Sequence, residues 1–189
     1  MTTLQTPSLV LRPLEARDEP LFLSLYCDES TMRHLGAAMA PTTAVRAFRN
    51  ALEQTSSGTG TQRFWCVQAR PGFESIGVMG LTRIAARAGE VGILVDPACR
   101  GRAFAAESIA ALADHVFGDL GDEVLAARHA ASNASTARLL TKLGFERRAE
   151  PGGEDPWHWQ LTPALWTPVR DRWRGRGLHS GDDGLSFQD

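Results

Sequence analysis

The sequence predicts an α/β chain. Its centre is a mixed, mostly antiparallel sheet of about seven strands with a parallel pair in the middle, flanked by about four helices. Three observations carry this. Strand-like runs between Arg63 and Val95 are joined by short turns, which makes neighbours antiparallel. The run ending at Val95 is followed by a long helix and then another strand, Glu123–His129; a helical crossover makes those two strands parallel. Finally, the stretch from Gly89 to Phe117, GEVGILVDPACRGRAFAAESIAALADHVF, passes from strand to helix through a short, small-residue, positively charged turn.

Taken in order, Ser8–Arg12 is a short strand stopped by Pro13, and Asp18 is placed to cap a helix over Glu19–Tyr26 with Leu21, Phe22 and Leu25 inside. Asp28–Pro41 is irregular. Thr42 or Thr43 opens a second helix, with Val45, Phe48, Arg49 and Leu52 as its stripe, and Ser56–Thr61 reads as a loop. Arg63–Ala69 and Ile76–Ile84 are strands turned at Pro71-Gly72, and the central strand begins near Glu90 and closes at Asp96-Pro97. In the central helix Ala105, Ile109, Leu112, Ala113 and Val116 recur at helical spacing. After Glu123–His129, Asn133 opens a helix whose inner stripe is Thr136, Leu139, Leu140 and Leu143, and Gly144 ends it. Phe145–Arg148 and Trp157–Leu161 are the last strands, turned by Pro151-Gly152-Gly153. Residues 1–170 read as one domain; 171–189, rich in Gly and charge, read as a flexible tail.

The strand–turn–helix unit points to an anion. The first N–H groups of a helix lack internal partners and carry about half a positive charge between them. Arg100 and Arg102 add two full charges, which suits a phosphate or pyrophosphate. The same motif also occurs in units that bind nothing, so the flanking sequence must decide. Composition narrows the classes. A net charge of -2 and pI near 6.2 give no global case for nucleic acid or an anionic membrane. No apolar run reaches the ~18 residues of a membrane span, and the N-terminus lacks a secretory pattern. Cys27, Cys66 and Cys99 are scattered, which fits a reducing cytoplasm, and the five His have no metal-ligand spacing, so no metal is expected.

Four segments, in order, resemble the GNAT N-acetyltransferase superfamily, and within it the RimJ/RimL-type branch of ribosomal-protein N-terminal acetyltransferases. They are Leu9–Leu14 with Asp18 ("RLxLRPL…D"), Gly92–Glu107 ("G…PxxRGxGxAxEA"), Asn133–Phe145 ("NxxSxRLLEKLGF") and Trp157–Trp166 ("LT…W"). The resemblance covers about residues 6 to 166. Three positions depart from it: Ala103 stands where Gly is usual, Thr136 where Ser is usual, and Ser8 where Arg is usual. Ala can offer its N–H at a helical position but is strained where φ is positive, so weakened rather than lost cofactor binding is expected.

The resemblance implies the GNAT fold, with the parallel pair splayed around acetyl-CoA. The backbone of Ile93, Leu94 and Val95 would pair with the pantetheine arm. The N–H groups of Arg100, Gly101, Arg102, Ala103, Phe104 and Ala105 would hold the pyrophosphate, and Asn133 would contact the pantetheine region. Thr136 would protonate the departing thiolate; the plainer account is a Thr bonded back to its own helix. Glu90 is the candidate base, on the face of Gly92 and Leu94, against a plain Glu exposed in a turn. Asp28, Glu29 and Glu154 are weaker candidates, Cys99 is incidental, and His158 lies opposite Trp157 and Trp159. The implied activity is transfer of acetyl from acetyl-CoA to a primary amine, a protein N-terminus or a small molecule, by direct attack in a ternary complex. The implied protein is cytoplasmic, a monomer or homodimer. The alternative is a catalytically silent module of the same fold that binds acyl-CoA or a partner.

Overall fold

The computed structural model describes residues 1–57, 60–148 and 157–177. Its elements are β1 (Leu4–Gln5), β2 (Leu9–Pro13), α1 (Glu19–Tyr26), α2 (Glu29–Met32), α3 (Pro41–Ser57), β3 (Gln62–Ala69), β4 (Glu74–Ala85), β5 (Ala88–Val95), α4 (Phe104–Asp114), β6 (Val124–His129), α5 (Ala134–Lys142), β7 (Glu146–Arg148), β8 (Trp157–Leu161) and α6 (Pro163–Gly177). One eight-stranded sheet runs in the order β1-β2-β3-β4-β5-β6-β8-β7. Every pair is antiparallel except β5 with β6, which is parallel across the α4 crossover, as the sequence predicts. The strand beyond the seven expected is the two-residue β1, and the extra helices are α2 and α6.

The sheet divides the core in two. On one face Leu11, Trp65, Met79, Val91 and Leu125 pack with Ile109, Leu112 and Ala113 of α4, with Val116 in the turn after it, with Leu140 of α5, and with Trp166 and Val169 of α6. On the other, Cys66, Val78 and Leu94 pack with Phe22 and Leu25 of α1, Met32 of α2, and Phe48 and Ala51 of α3. Leu143, the cap of α5, is followed by Gly144 at φ 83°, a left-handed position that glycine takes without cost.

Four local expectations are corrected. Asp18 does not cap α1: its carboxylate is taken by both Arg12 Nη atoms, at 2.8 and 2.7 Å, and by the Glu15 N–H at 2.8 Å. The buried stripe of α3 is Ala44, Phe48, Ala51 and Thr55; Val45 and Leu52 are only partly covered and Arg49 is exposed, because the small alanines sit closest to the sheet. α3 also continues over Ser56 and Ser57. Finally, residues 171–177 belong to α6 rather than to a tail: Trp166, Val169 and Trp173 fall at helical spacing and pack on the core, a stripe that Pro168 and the intervening charges obscure in the sequence. The tail reading for 178–189 and the turn at Pro151-Gly152-Gly153 lie outside the described residues.

The Arg12–Asp18 pair ties β2 to the segment entering α1, and both residues are at least nine-tenths buried. Burial pushes the Asp18 carboxyl up, but the hydrogen bonds from Arg12 and Glu15 and the Arg12 charge outweigh it, leaving the group below its ordinary value of 3.8. With the folded-state pKa lowered, the pair's contribution is complete above about pH 4 and is lost as the pH falls through the folded value. Asp18→Asn leaves Arg12 buried without its counter-charge and should cost roughly 3 kcal/mol, read as a lower denaturation midpoint at pH 7. The difference between the variant and the wild type should shrink below pH 4; an undiminished difference at pH 2.5 would contradict it.

Candidate active site where two parallel strands part

The parallel pairing is short. Its rungs run Ala88↔Val124, Gly89↔Leu125, Glu90↔Ala126 and Val91↔Ala127, and there they stop. Beyond that point Gly92–Val95 stays with β4, through Gly80↔Gly92, Met79↔Ile93, Val78↔Leu94 and Gly77↔Val95. Arg128 and His129 stay with β8, through Arg128↔His158 and His129↔Trp157. The facing edges of β5 and β6 therefore separate into a cleft whose β5 wall is Ile93, Leu94 and Val95. Unpaired strand edges are strong hydrogen-bonding surfaces that invite an extended partner.

Both helices that follow these strands begin at this open end. After Val95 the chain makes a short turn, with Asp96 Oδ1 accepting from the Ala98 N–H at 2.8 Å. Gly101 has φ 77° and Ala103 φ 59°; both are left-handed. Ala103 is the cap of α4 and offers no side-chain hydrogen bond to it. The first internal bond of this end runs from the Glu107 N–H to the Ala103 carbonyl at 3.0 Å, so Phe104, Ala105 and Ala106 keep N–H groups in the orphaned first turn. Ala103 thus occupies a left-handed position with a Cβ, a strain of about 1 kcal/mol. The first turn is braced from β2, because Glu107 Oε1 accepts the Ser8 N–H at 2.9 Å.

The two arginines of the turn are arranged differently. Arg100 is exposed and its Nη2 donates to Thr31 Oγ1 of α2 at 3.3 Å. Arg102 folds back over the Phe104 ring, 5.0 Å from its centroid. Asp28 caps α2 by accepting from the Thr31 N–H at 2.7 Å and from Ser30 Oγ at 2.6 Å, bonds that hold its carboxyl below the ordinary value. Cys99 packs partly against the core beside the turn.

Asn133 caps α5 as expected, its Oδ1 accepting from the Thr136 N–H at 3.1 Å and from Ser135 Oγ at 2.8 Å. Thr136 is half-buried in the first turn. Among the described residues its hydroxyl makes no bond back to its own helix, unlike Thr141, which bonds to the Ala137 carbonyl, and Ser108, which bonds to that of Phe104. Glu90 is not a turn residue. It lies inside β5 between Thr82 and Ala126, on the face of Gly92 and Leu94, with its side chain 20 % exposed. Arg128 forms an ion pair with Glu90, its Nε 2.8 Å from Oε2. Of the weaker candidates, Glu29 is exposed at the start of α2, and Glu154 lies outside the described residues.

Sequence reasoning missed two features of the cleft. One is Arg128, whose relation to Glu90 exists only across the strand pair. The other is buried His129, at the end of β6. Its Nδ1 lies 2.7 Å from the Ala130 carbonyl, and its Nε2 accepts from Trp159 Nε1 at 2.9 Å. An indole N–H only donates, so the ring must be neutral with its proton on Nδ1. Trp159 is buried and Trp157 half-buried on this face, with His158 on the other, as the strand alternation predicts.

A separate hollow of about 610 Å³ lies between the N-terminus and the ends of α4 and α6, lined by residues including Thr2, His115, Asp119, Trp166 and Arg170. It contains none of the candidate catalytic or cofactor-binding residues named from the sequence. Among the described residues, no group of three or more His, Cys, Asp or Glu is arranged to hold a metal ion, and no helix is long and apolar enough to cross a membrane.

Comparison with known proteins gives the same fold. Over its full described topology the chain resembles the GCN5-related N-acetyltransferase of Brucella melitensis, at 17 % identity and a TM-score of 0.78, covering 99 % of this chain and 90 % of that one. The acetyltransferase of Agrobacterium tumefaciens str. C58 matches at 22 % identity and a TM-score of 0.72, over 85 % and 94 % of the two chains. RimL, a ribosomal L7/L12 alpha-N-protein acetyltransferase solved in complex with coenzyme A, matches at 14 % identity and a TM-score of 0.71, over 85 % and 98 %. No curated protein matches the sequence. The model of the acetyltransferase (GNAT) domain matches residues 8–146, most of the sheet together with α1 to α5. With the splayed parallel pair and the bare helix start in place, the chain belongs to the GNAT acetyltransferase domain family.

Proposed function

We propose that this chain is an N-acetyltransferase that moves acetyl from acetyl-CoA to a primary amine by direct attack, with both substrates held at once. The observation that carries it is the convergence of two unsatisfied backbone surfaces: the β5 edge from Ile93 to Val95, and the uncapped start of α4 behind Arg100–Ala103. These fit the two chemically distinct parts of a CoA molecule. An extended amide-bearing arm pairs with a strand edge, and a pyrophosphate suits N–H groups at a helix start flanked by Arg100 and Arg102. Bound acetyl-CoA supplies an activated acyl group on a thiol that can leave.

The chain's own residues do the rest. Ile93 and Val95 present their backbone to the arm, while Leu94 between them keeps its backbone for β4. Gly101, Arg102, Ala103, Phe104 and Ala105 present N–H groups to the phosphates; the Arg100 N–H, expected among them, is held by the Pro97 carbonyl at 3.3 Å, so Arg100 contributes its guanidinium instead. Asn133, whose Oδ1 is committed to capping, keeps its amide N–H₂ for the arm. Thr136, with an uncommitted hydroxyl at the head of α5, delivers a proton to the departing sulfur. Glu90 takes the proton from the attacking ammonium, directly or through water, using the oxygen that Arg128 leaves free. The opening Leu9–Leu14 motif supports a RimJ/RimL-type relationship, with a protein N-terminus or a small amine as acceptor. The silent-module reading rests on the strained Ala103 and on the engagement of Glu90 by Arg128.

Three outcomes follow. Acetyl-CoA at about 100 times its Kd should stabilise the protein by about 2.7 kcal/mol, a shift of a few degrees in Tm, and Gly101→Asp should abolish the shift by setting a carboxylate against the phosphates. No shift in the wild type would contradict the transferase reading and put the silent, partner-binding module ahead of it. Thr136→Ala should lower kcat about 100-fold with CoA affinity nearly unchanged; full activity would remove the hydroxyl from the mechanism. Ala103→Gly should relieve left-handed strain, so that CoA binds more tightly and Tm does not fall, the strain released offsetting the roughly 0.5–1 kcal/mol by which glycine favours the unfolded chain. Weaker CoA binding in that variant would show that the left-handed cap is not what limits the site.

A further inference from the structure

Cross-strand register places Glu90, Arg128, His158, Gln160, Arg148 and Glu146 on one face of the sheet. Over β3 and β4 this face is covered by α1 and α3, whereas the hydrophobic core on this side includes no described residue of β6, β8 or β7. The Arg128 side chain is 53 % exposed there. Its single recorded partner among the described residues is Glu90, reached through Nε alone, so both Nη groups remain available as a planar fork. Glu90 likewise uses only Oε2, and Oε1 has no recorded partner. The two residues flank the last rungs of the β5–β6 pair: Glu90 stands one residue before Val91, and Arg128 one residue after Ala127. Next to them Gly92 is the first β5 residue past the parting, and a Cβ built on it would meet nothing within 4 Å. A free guanidinium edge and a free carboxylate oxygen, held together by one ion-pair contact, thus border open space at the mouth of the cleft.

We propose that Arg128 determines acceptor specificity by binding a carboxylate on the acceptor, and that the acceptor is a small amine bearing a carboxylate close to its nitrogen, as a free α-amino acid does. This rests on the acetyl-transfer reading above and names the substrate class for the same cleft. The pairing is complementary in charge and in shape. A carboxylate takes the Arg fork through two parallel hydrogen bonds, while the ammonium beside it faces the free Glu90 oxygen. A protein N-terminus lacks this match, because its α-carbon bears an amide where the free amino acid bears an anion. Discrimination of this type is steep, since an acceptor without the carboxylate leaves the fork to water and gains nothing from it. The step balances: the ammonium gives one proton to Glu90, the neutral nitrogen bonds to the acyl carbon, the carbon–sulfur bond breaks, the sulfur takes a proton from Thr136, and the second proton that the nitrogen sheds on becoming an amide returns through water to Thr136.

The test compares free amino acids with their α-amides, which keep the amine and lose the anion. In the wild type, kcat/KM for the acid should exceed that for the matched amide at least tenfold. Arg128→Gln should raise KM for the acid and bring the ratio close to one, and Arg128→Lys, which keeps the charge without the fork, should recover part of it. The CoA-induced shift in Tm, measured on each variant, shows that the fold and the cofactor site persist. Calorimetric binding of the acid to the CoA complex separates this inference from the transfer reading: binding that depends on Arg128 with no turnover would keep it and sink the transfer reading. Equal use of acid and amide by the wild type, an unchanged ratio in Arg128→Gln, or no binding of any acid, would overturn it.

Discussion

The site depends on where two parallel strands stop pairing. Through Val91 and Ala127 they share a ladder; one residue later β5 is committed to β4, and β6 to β8. The separation leaves backbone groups on the β5 edge without partners, and such groups are costly unless water or a ligand satisfies them. It also sets the starts of α4 and α5 at the same end of the sheet, where orphaned N–H groups and helix dipoles favour negative charge. Attraction of an anion to this opening is therefore mostly a property of backbone, so a residue that changes backbone conformation, such as Ala103, matters.

The rest of the molecule holds that opening in place. α4 closes the β5–β6 crossover and buries Leu112 and Ala113 completely, as Val116 just beyond it is buried, so its start is anchored beside the end of β5. Glu107 pins its first turn to β2. The buried Arg12–Asp18 pair fixes β2 to the segment entering α1, and α1 carries the chain to α2, whose Thr31 meets Arg100. On the far wall His129 and Trp159 satisfy each other in the interior, tying β6 to β8 beyond the parting. A neutral buried pair of this kind contributes rigidity without the desolvation cost of an ion pair.

Much of this was legible from residue order. Short turns and one helical crossover suffice to derive an antiparallel sheet with a parallel pair, and small residues with two arginines mark the turn between β5 and α4. Glu90, Asn133 and Thr136 lie where alternation and helical spacing put them. The failures share a cause. Asp18 looked like a cap because capping is a local pattern, but its partner Arg12 is chosen by tertiary burial. Arg128 carried no local signal, since its meaning arises from Glu90 on another strand. The α6 stripe was hidden by Pro168, and the α3 stripe was misplaced because alanine contributes little to a hydrophobic pattern yet packs closest. Whether Ala103 takes a left-handed φ could not be read from the residue alone, and it is the backbone that answers.

The most direct test of the central claim is residue-resolved amide exchange with and without CoA. The account predicts new protection at Ile93, Val95 and the amides from Gly101 to Ala105, with a weaker effect at the start of α5. Little change should appear around His115 and Arg170, where the separate hollow lies. Protection that instead gathered at that hollow, or that spared the β5 edge while CoA was bound, would contradict the assignment of the cleft.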